Sequence, residues 1–210
     1  MAERQLSEWI APARTALLVV DVQVDFARSD GAAGLAGHDL SAVPAALANA
    51  ARLAKSARTA GAQIVFVRLE TTAESDSPAW VERARRLGNA PEEALALCRS
   101  ATRGADLVLQ PDLASDLVIT KHRYSAFAGT ALDDILKDRG LDTLVACGLT
   151  TECCVDSTVR DAFHRDYHVF VAEDACASYD SALQEAALRS LALNFAILAR
   201  TDDVVAAWTK

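Results

Sequence analysis

The chain lacks the sequence patterns of membrane and secreted proteins. Among its 210 residues, the longest apolar runs have the length of β-strands, well short of the ~20 residues that a transmembrane helix needs. Residues 1–5 show no basic-then-apolar signal pattern, and no stretch rich in proline, glycine and serine divides the chain. These absences predict a cytoplasmic protein that forms one domain over residues 1–210.

An excess of positive charge is also missing. The chain has 21 lysines and arginines against 29 aspartates and glutamates, which gives a formal net charge of −8. Proteins that bind nucleic acids or anionic membranes usually present a basic face. We therefore expect neither a nucleic acid nor a membrane among the partners.

Cysteine is present, but not in a metal-binding or disulfide pattern. The five cysteines include no Cys-x-x-Cys pair, which disfavours a zinc ribbon and a thioredoxin-like site. An odd number of cysteines in a cytoplasmic chain also argues against a disulfide framework. The sequence therefore predicts free thiols at Cys98, Cys147, Cys153, Cys154 and Cys176.

The chain does contain a regular alternation of short apolar runs and alanine-rich stretches. Continuous apolar runs are typical of strands covered by helices on both faces, and their alternation with helices predicts a parallel, doubly wound α/β sheet. Residues 71–116 are less regular and predict a loop-rich excursion over the strand ends, either a pocket wall or a plain surface insertion. Asp39 and Ser41 are possible caps of the first helix. The predicted strands are 16–20, 63–68, 117–120, 143–147, 168–172 and 195–199, and the predicted helices are 43–60, 80–87, 128–139, 152–165, 179–193 and 201–209.

Three reactive side chains, Asp21, Lys121 and Cys154, stand at or just beyond the ends of predicted strands. Open α/β sheets place their ligands at this edge. Cys154 lies in the first turn of a predicted helix, where unpaired N–H groups and the helix dipole favour a thiolate. Each residue also has an ordinary explanation: a buried free cysteine, a turn-capping aspartate and a surface lysine.

Together the three side chains meet the requirements of an activated nucleophile. Asp21 would accept the thiol proton, Lys121 would stabilise the thiolate, and Cys154 would attack an amide or ureide carbonyl. Backbone N–H groups at the start of the helix would bind the oxyanion.

Three blocks of sequence then carry a resemblance to a known family. Residues 21–26 read DVQVDF, residues 121–127 read KHRYSAF, and residues 148–158 read GLTTECCVDST. They resemble the D-x-Q-x-D-F, K-x-x-x-S-x-F and G-x-x-T-x-x-C-V-x-x-T motifs of the isochorismatase-like cysteine hydrolases. The resemblance covers most of the chain, from about residue 15 to residue 206.

The resemblance implies a three-layer α/β/α sandwich with a six-stranded parallel sheet. It implies the catalytic triad Asp21, Lys121 and Cys154, with Cys154 rather than Cys153 as the nucleophile. It also implies a cis peptide between Leu149 and Thr150, with the N–H groups of Thr150 and Cys154 forming the oxyanion hole. The assembly that it implies is a homodimer or homotetramer.

Differences within the family narrow the expected chemistry. True isochorismatases resemble this pattern but lack the nucleophilic cysteine, so Cys154 points to hydrolysis of a C–N bond. Nicotinamidases carry an Asp-x-His metal site after the second strand, where this chain has no histidine in residues 69–74. We therefore expect no metal and no other cofactor. Residues 31–40 and 123–125 resemble the branch of ureidoacrylate amidohydrolases, biuret hydrolases and N-carbamoyl amidohydrolases.

Several further residues are candidates for binding the substrate. Arg123 could grip a substrate carboxylate bidentately or could be a surface arginine. Gln23 could line the pocket or only brace its loop, and Asn194 falls near a polar position of some ureide hydrolases. The aromatic candidates for pocket walls, each of which could instead belong to the core, are Phe26, Tyr124, Phe127 and Trp80.

The sequence thus predicts a metal-independent cysteine amidohydrolase. It would cleave a small linear amide, carbamoyl or ureide compound through a thioester-type intermediate and release ammonia. One alternative is an amidase for a bulkier lactam or aromatic amide. Another is a non-hydrolytic protein with the same fold that serves in protein contacts or uses Cys154 as a redox sensor.

Overall fold

A six-stranded parallel sheet forms the centre of the protein. The computed structural model describes residues 3–209, with side chains described for 5–92 and 95–209. The strands are β1 (Thr15–Val20), β2 (Gln63–Leu69), β3 (Leu117–Lys121), β4 (Thr143–Leu149), β5 (His168–Ala177) and β6 (Ile197–Ala199). Their order across the sheet is β3-β2-β1-β4-β5-β6, and every pair is parallel. The order reverses between β1 and β4, which is where such sheets place their ligands.

Helices cover both faces of the sheet and complete a three-layer α/β/α sandwich. The long helix α4 packs on β5, β1, β2 and β4 and also contacts α10, which in turn contacts α1. Helix α8 packs on β5, and α9 packs on β6. Right-handed crossovers place these two helices on the face of the sheet opposite to α4. The helices are α1 (Glu3–Trp9), α2 (Val24–Ala27), α3 (Ala32–Leu35), α4 (Val43–Ala60), α5 (Pro78–Arg86), α6 (Pro91–Ala96), α7 (Leu132–Asp138), α8 (Asp156–Phe163), α9 (Ser181–Asn194) and α10 (Thr201–Trp208).

The core lies between these layers. Every residue of β1 and of β4 is buried, because helices cover both faces of these central strands. Among the helices that the structure describes, none combines the length and the apolar character needed to cross a bilayer.

Three local predictions about the helices need correction. Asp39 does not cap α4: its carboxylate accepts the nearby Ser41 N–H, while the helix starts at Val43 with proline in its first turn. Helix α7 starts at 132 rather than 128, because Gly129 has a left-handed φ of 71° and interrupts the helix. The helix predicted over 152–165 is divided into a π-helical turn, Thr151–Val155, and α8.

The excursion over residues 71–116 contains two helices, α5 and α6, and is tied to the sheet edge. Isolated β-bridges join Gln23 to Leu107 and Thr71 to Arg99. The Thr71 hydroxyl donates to the carbonyls of Leu95 and Leu97, at 3.0 and 2.9 Å. The segment is therefore a folded wall beside the strand ends.

Candidate active site

The fold brings Asp21, Lys121 and Cys154 into contact at the carboxyl edge of the sheet. Asp21 follows β1, Lys121 is the last residue of β3, and Cys154 lies in the π-helical turn after β4. Lys121 Nζ donates to Asp21 Oδ2 at 2.7 Å and lies 3.5 Å from Cys154 Sγ. It also donates to the Arg123 carbonyl at 3.0 Å, so the ammonium group is held on three sides.

The backbone at Asp21 turns its side chain into this edge. Its φ of 49° is left-handed, its N–H donates to the Val67 carbonyl, and its own carbonyl accepts the Gln23 N–H. Burial raises the pKa of the Asp21 carboxyl, although the Lys121 charge and the Cys154 thiol oppose this rise. Asp21 is therefore a stronger base than an ordinary aspartate. Its Oδ1 has no hydrogen-bond partner within residues 3–209.

Lys121 supplies the compensating charge. Burial by itself would lower the pKa of the Lys121 ammonium, but the Asp21 carboxylate and the Cys154 sulfur outweigh it, so the pKa is raised. The side chain is completely buried. Lys121 thus remains positively charged, and its charge favours the ionised form of the buried Asp21 carboxyl.

Cys154 is a thiol in the resting site, not the thiolate that its place at a helix start predicts. The adjacent Cys153 thiol, burial and the Asp21 carboxylate raise the pKa of Cys154, and only Lys121 opposes them. The α-helix proper begins two residues later, at Asp156, so Cys154 lies before the first turn, where the helix dipole would favour a thiolate. A thiol beside a strong base can lose its proton during attack rather than before it.

The turn between β4 and Cys154 has an unusual backbone. The Leu149–Thr150 peptide is cis, as the family resemblance implies. Gly148 has a φ of 127°, and a Cβ there would lie 2.0 Å from the Val20 carbonyl oxygen, so only glycine fits this close approach of β1 and β4. The Thr150 carbonyl accepts the N–H groups of Cys153 and Val155. The oxyanion-binding role of the Thr150 and Cys154 N–H groups stays a prediction.

Gln23 acts as a brace. Its Nε2 donates to the carbonyls of Leu69 and Ala105 at 2.8 and 2.9 Å, and its Oε1 accepts the Leu69 N–H at 2.8 Å. These contacts fix the end of β2 against the excursion. Of the two roles considered for Gln23, bracing accounts for all three hydrogen bonds, and direct contact with the substrate stays a prediction.

Asp25 joins three segments around the site, a role that the sequence reasoning missed. Its Oδ1 accepts the Ala32 N–H at 3.0 Å and its Oδ2 accepts the Cys98 N–H at 2.7 Å. A Cβ on Gly104 would lie 2.3 Å from Oδ2, so this glycine lets the excursion approach the carboxylate. The available signal was the second aspartate of the DVQVDF block, at residue 25.

Tyr124 and Trp80 form an aromatic wall near the triad. Their rings stack with centroids 5.0 Å apart, and the Arg123 guanidinium lies 5.9 Å from the Trp80 centroid. Burial and the sulfurs of Cys153 and Cys154 raise the pKa of the Tyr124 hydroxyl.

Phe26 also lies beside the site, in a small apolar cluster with Leu149 and Cys98. Its carbonyl accepts the Tyr179 hydroxyl at 2.7 Å. The structure therefore places Phe26, Arg123 and Tyr124 around the triad, and their contact with substrate stays a prediction.

Two of the proposed substrate-binding residues lie elsewhere. Phe127 is a core residue, 4% exposed, whose ring packs against Tyr167 and under the Arg165 guanidinium. Asn194 ends α9 and borders a different cavity of about 490 Å³, beside Arg14 and His168 at the amino ends of the strands. Because this is the opposite edge of the sheet, Asn194 cannot reach a substrate bound to Cys154 of the same chain.

All five cysteines are free. Over the described residues, no group of three or more His, Cys, Asp or Glu side chains is arranged to hold a metal ion.

Comparisons with known proteins match both the sequence and the fold. The family model of the Isochorismatase domain matches residues 15–203. The ureidoacrylate amidohydrolase RutB of Methylorubrum extorquens is 37% identical over 188 residues, 84% of this chain and 75% of that protein. A crystal structure of a cysteine hydrolase from Pseudomonas syringae pv. phaseolicola has a TM-score of 0.80 at 26% identity, covering 96% of this chain and 95% of its own. N-carbamoylsarcosine amidase from Thermoplasma acidophilum has a TM-score of 0.70 at 28% identity, covering 90% and 97%.

Proposed function

Because the chain belongs to the isochorismatase-like cysteine hydrolase family, we propose that it hydrolyses a small linear ureide or carbamoyl compound of the ureidoacrylate type. It is a hydrolase of carbon–nitrogen bonds other than peptide bonds, and its products include ammonia. The observation that carries the proposal is the contact of Lys121 Nζ with both Asp21 Oδ2 and Cys154 Sγ in a buried site. This contact joins a base, a cation and a thiol where the strand order reverses.

In the proposed mechanism, Asp21 accepts the thiol proton as Cys154 Sγ bonds to the carbonyl carbon. The carbonyl oxygen becomes an anion, which the N–H groups of Thr150 and Cys154 bind. The C–N bond then breaks, and Asp21 returns the proton to the leaving nitrogen. A water molecule, deprotonated by Asp21, hydrolyses the thioester or thiocarbamate and restores the thiol.

The nitrogen that leaves first determines the products. Departure of ammonia leaves an N-substituted carbamoyl group on sulfur, and hydrolysis gives an N-substituted carbamate, which decomposes to an amine and carbon dioxide. Departure of the substituted nitrogen leaves a carbamoyl group on sulfur, and hydrolysis gives carbamate, which decomposes to ammonia and carbon dioxide. Both routes yield ammonia, so ammonia release is the readout to measure.

We further propose that the enzyme acts without a metal, as a homodimer or homotetramer, in the cytoplasm. The proton acceptor and the cation needed for attack are both side chains of this chain, so the mechanism has no step that requires a metal. A reducing compartment suits a protein with five free cysteines, one of them the nucleophile. Light scattering would measure the assembly.

Ammonia release from ureidoacrylate, biuret, N-carbamoylsarcosine, maleamate and nicotinamide tests the proposal. We expect turnover of at least one linear ureide or carbamoyl compound, unchanged by a chelator. The rate should fall by at least about 10³-fold in Cys154→Ser, because a serine hydroxyl is a weaker nucleophile than a cysteine thiol. The substitution should leave the fold unchanged. Cys153→Ser, with the same substitution one residue away, should retain turnover.

No turnover of any linear compound would contradict the proposal. Turnover of a bulky lactam or aromatic amide alone would replace it with the bulkier-amide alternative. Oxidation of Cys154 by peroxide without turnover of any amide would replace it with a redox role.

A further inference from the structure

A small cavity beside the aromatic wall is lined by an exposed arginine, Arg83, which has no acidic partner among the side chains described for residues 5–92 and 95–209. The cavity measures about 190 Å³ and lies between α5, the residues that flank α6 and Tyr124. Its described lining is apolar and neutral apart from Arg83, with Asn89 as a second polar group. No ion pair or hydrogen bond of the Arg83 side chain occurs within the described side chains, and Glu82, the acid next to it, pairs with Arg85 and Arg86 instead.

Arg83 differs from the other arginines of residues 71–116. Each of those has a carboxylate close by: Arg85 and Arg86 pair with Glu82, Arg99 pairs with Asp76, and Arg103 pairs with Asp30. An unpaired guanidinium on the wall of an otherwise neutral cavity is a binding group for an anion, since its planar fork matches a carboxylate.

One wall of the cavity is connected to the triad. Tyr124 follows Arg123, whose carbonyl accepts Lys121 Nζ at 3.0 Å, and Lys121 Nζ lies 3.5 Å from Cys154 Sγ. On the other side, Leu97 precedes Cys98, whose N–H is bound to Asp25 Oδ2 at 2.7 Å. Tyr124 therefore belongs both to the lining of the cavity and to the segment that contacts the triad.

Arg123, the residue that the sequence suggested for this task, is less available. Its Nη1 donates to the carbonyls of Ser75 and His122, and its guanidinium packs over the Trp80 ring. These contacts orient the aromatic wall. Arg123 therefore packs against the aromatic wall and does not line the cavity, whereas Arg83 does.

We propose that this cavity is the subsite for the acid end of the substrate and that Arg83 selects a carboxylate there. The inference rests on the proposed function and narrows it: the substrate is a ureido acid, with the ureido carbonyl at Cys154 and a short unsaturated or saturated carbon chain leading to a carboxylate. A volume of about 190 Å³ holds an acid of a few carbons and excludes a ring system of drug size. A neutral compound such as biuret lacks the group that Arg83 recognises.

The test compares (Z)-3-ureidoacrylate with its methyl ester, which is uncharged at the same position. In Arg83→Leu we expect kcat/KM for the acid to fall by about 10- to 100-fold, mainly through KM, with kcat/KM for the ester unchanged. Arg83→Lys should restore part of the activity on the acid, since it keeps the charge without the fork. Arg86→Leu removes an exposed arginine three residues away on α5 and should affect neither compound.

Equal losses on acid and ester, or an undiminished rate on the acid, would overturn the assignment of Arg83. Calorimetry of ureidoacrylate with Cys154→Ala, with and without Arg83→Leu, gives a second readout that needs no turnover. If the wild-type protein hydrolysed neither these two compounds nor any other linear compound of the panel, the proposed function would fail. The calorimetry would still decide the subsite: binding lost in Arg83→Leu supports it, and absent or unchanged binding refutes it.

Discussion

The carboxylate of Asp21 is buried between Lys121 and Cys154, and this setting determines when it can accept a proton. In the unfolded chain the carboxyl titrates near its ordinary value of 3.8, whereas in the folded protein burial raises its pKa. The thiol and the ammonium also have raised pKa values, above 9.0 and 10.5 respectively. Each raised pKa favours the protonated form of its group, while the positive charge of Lys121 favours the ionised form of Asp21.

The pH dependence of kcat/KM should reflect these directions. Protonation of Asp21 removes the base, so we expect an acid limb with its midpoint above 3.8, followed by a plateau that extends to at least pH 9.0. Rates of ammonia release over about pH 4 to 10 measure the limb, with circular dichroism at each pH as the control for folding. An acid limb centred at or below 3.8 would show that burial does not raise the pKa of the base.

Sequence patterns located the reactive residues better than the residues around them. Asp21, Lys121 and Cys154 each follow an apolar run, so their common edge could be inferred from strand positions alone. The positions of Asn194 and Phe127 could not be inferred in this way. Asn194 ends a helix and Phe127 lies in a turn, and the sequence alone does not show how these segments pack against the sheet. The hydrogen-bond partners of the Asp25 carboxylate could not be inferred either, because they lie 7 and 73 residues away along the chain.

At the scale of elements, the six apolar runs predict the six strands, and the structure confirms each of them. The largest difference is in β5, which continues to Ala177, five residues beyond its predicted end. Glu173 and Asp174 interrupt the apolar pattern there, but the Asp174 carboxylate accepts the Thr201 N–H and hydroxyl, both at 2.8 Å. Polar residues can occupy this strand because another element satisfies them, which the local sequence does not reveal.

The junction of β1 and β4 depends on the absence of a side chain at Gly148. In Gly148→Ala a methyl group would meet the Val20 carbonyl at 2.0 Å with φ at 127°, so we expect a loss of more than about 3 kcal/mol in unfolding free energy or failure to fold. Urea denaturation measures the loss. Gly61→Ala is the matched control: Gly61 ends α4 with a φ of 78° and open space around it, and should cost only about 1 kcal/mol.

Similar losses in the two glycine variants would mean that the left-handed backbone, rather than the contact with Val20, sets the requirement at Gly148. A selective loss at Gly148 would show that the two central strands are held at backbone contact where the nucleophile turn begins.

At the scale of the whole molecule, Asp25 connects the sheet edge to two segments that surround the site. Asp25→Ala leaves the N–H groups of Ala32 and Cys98 without their acceptor. We expect a loss of about 1–3 kcal/mol in unfolding free energy and faster alkylation of Cys154 by iodoacetamide, because both segments loosen around a residue that is 4% exposed. Hydrogen exchange at the two amides and mass spectrometry of the alkylated peptide measure these effects.

Asp39→Ala is the control for that variant, because the Asp39 carboxylate is exposed and accepts only a local N–H, that of Ser41. It should leave alkylation and stability near their wild-type values. If Asp25→Ala alkylated at the wild-type rate, the segments would have to be held in place by other contacts.

The division between strand ends and excursion has a consequence for directed evolution. The proposed reacting groups lie at the ends of β1 and β3 and in the turn after β4, whereas the cavity around Arg83 is lined mainly by α5 and by the residues that flank α6. A mutant library confined to residues 78–97 therefore changes the shape and charge of the compartment without touching the bond-breaking atoms. Such a library offers a direct route to hydrolases for new ureides from this scaffold, with Asp25 and Gly104 kept constant as the joint between the two parts.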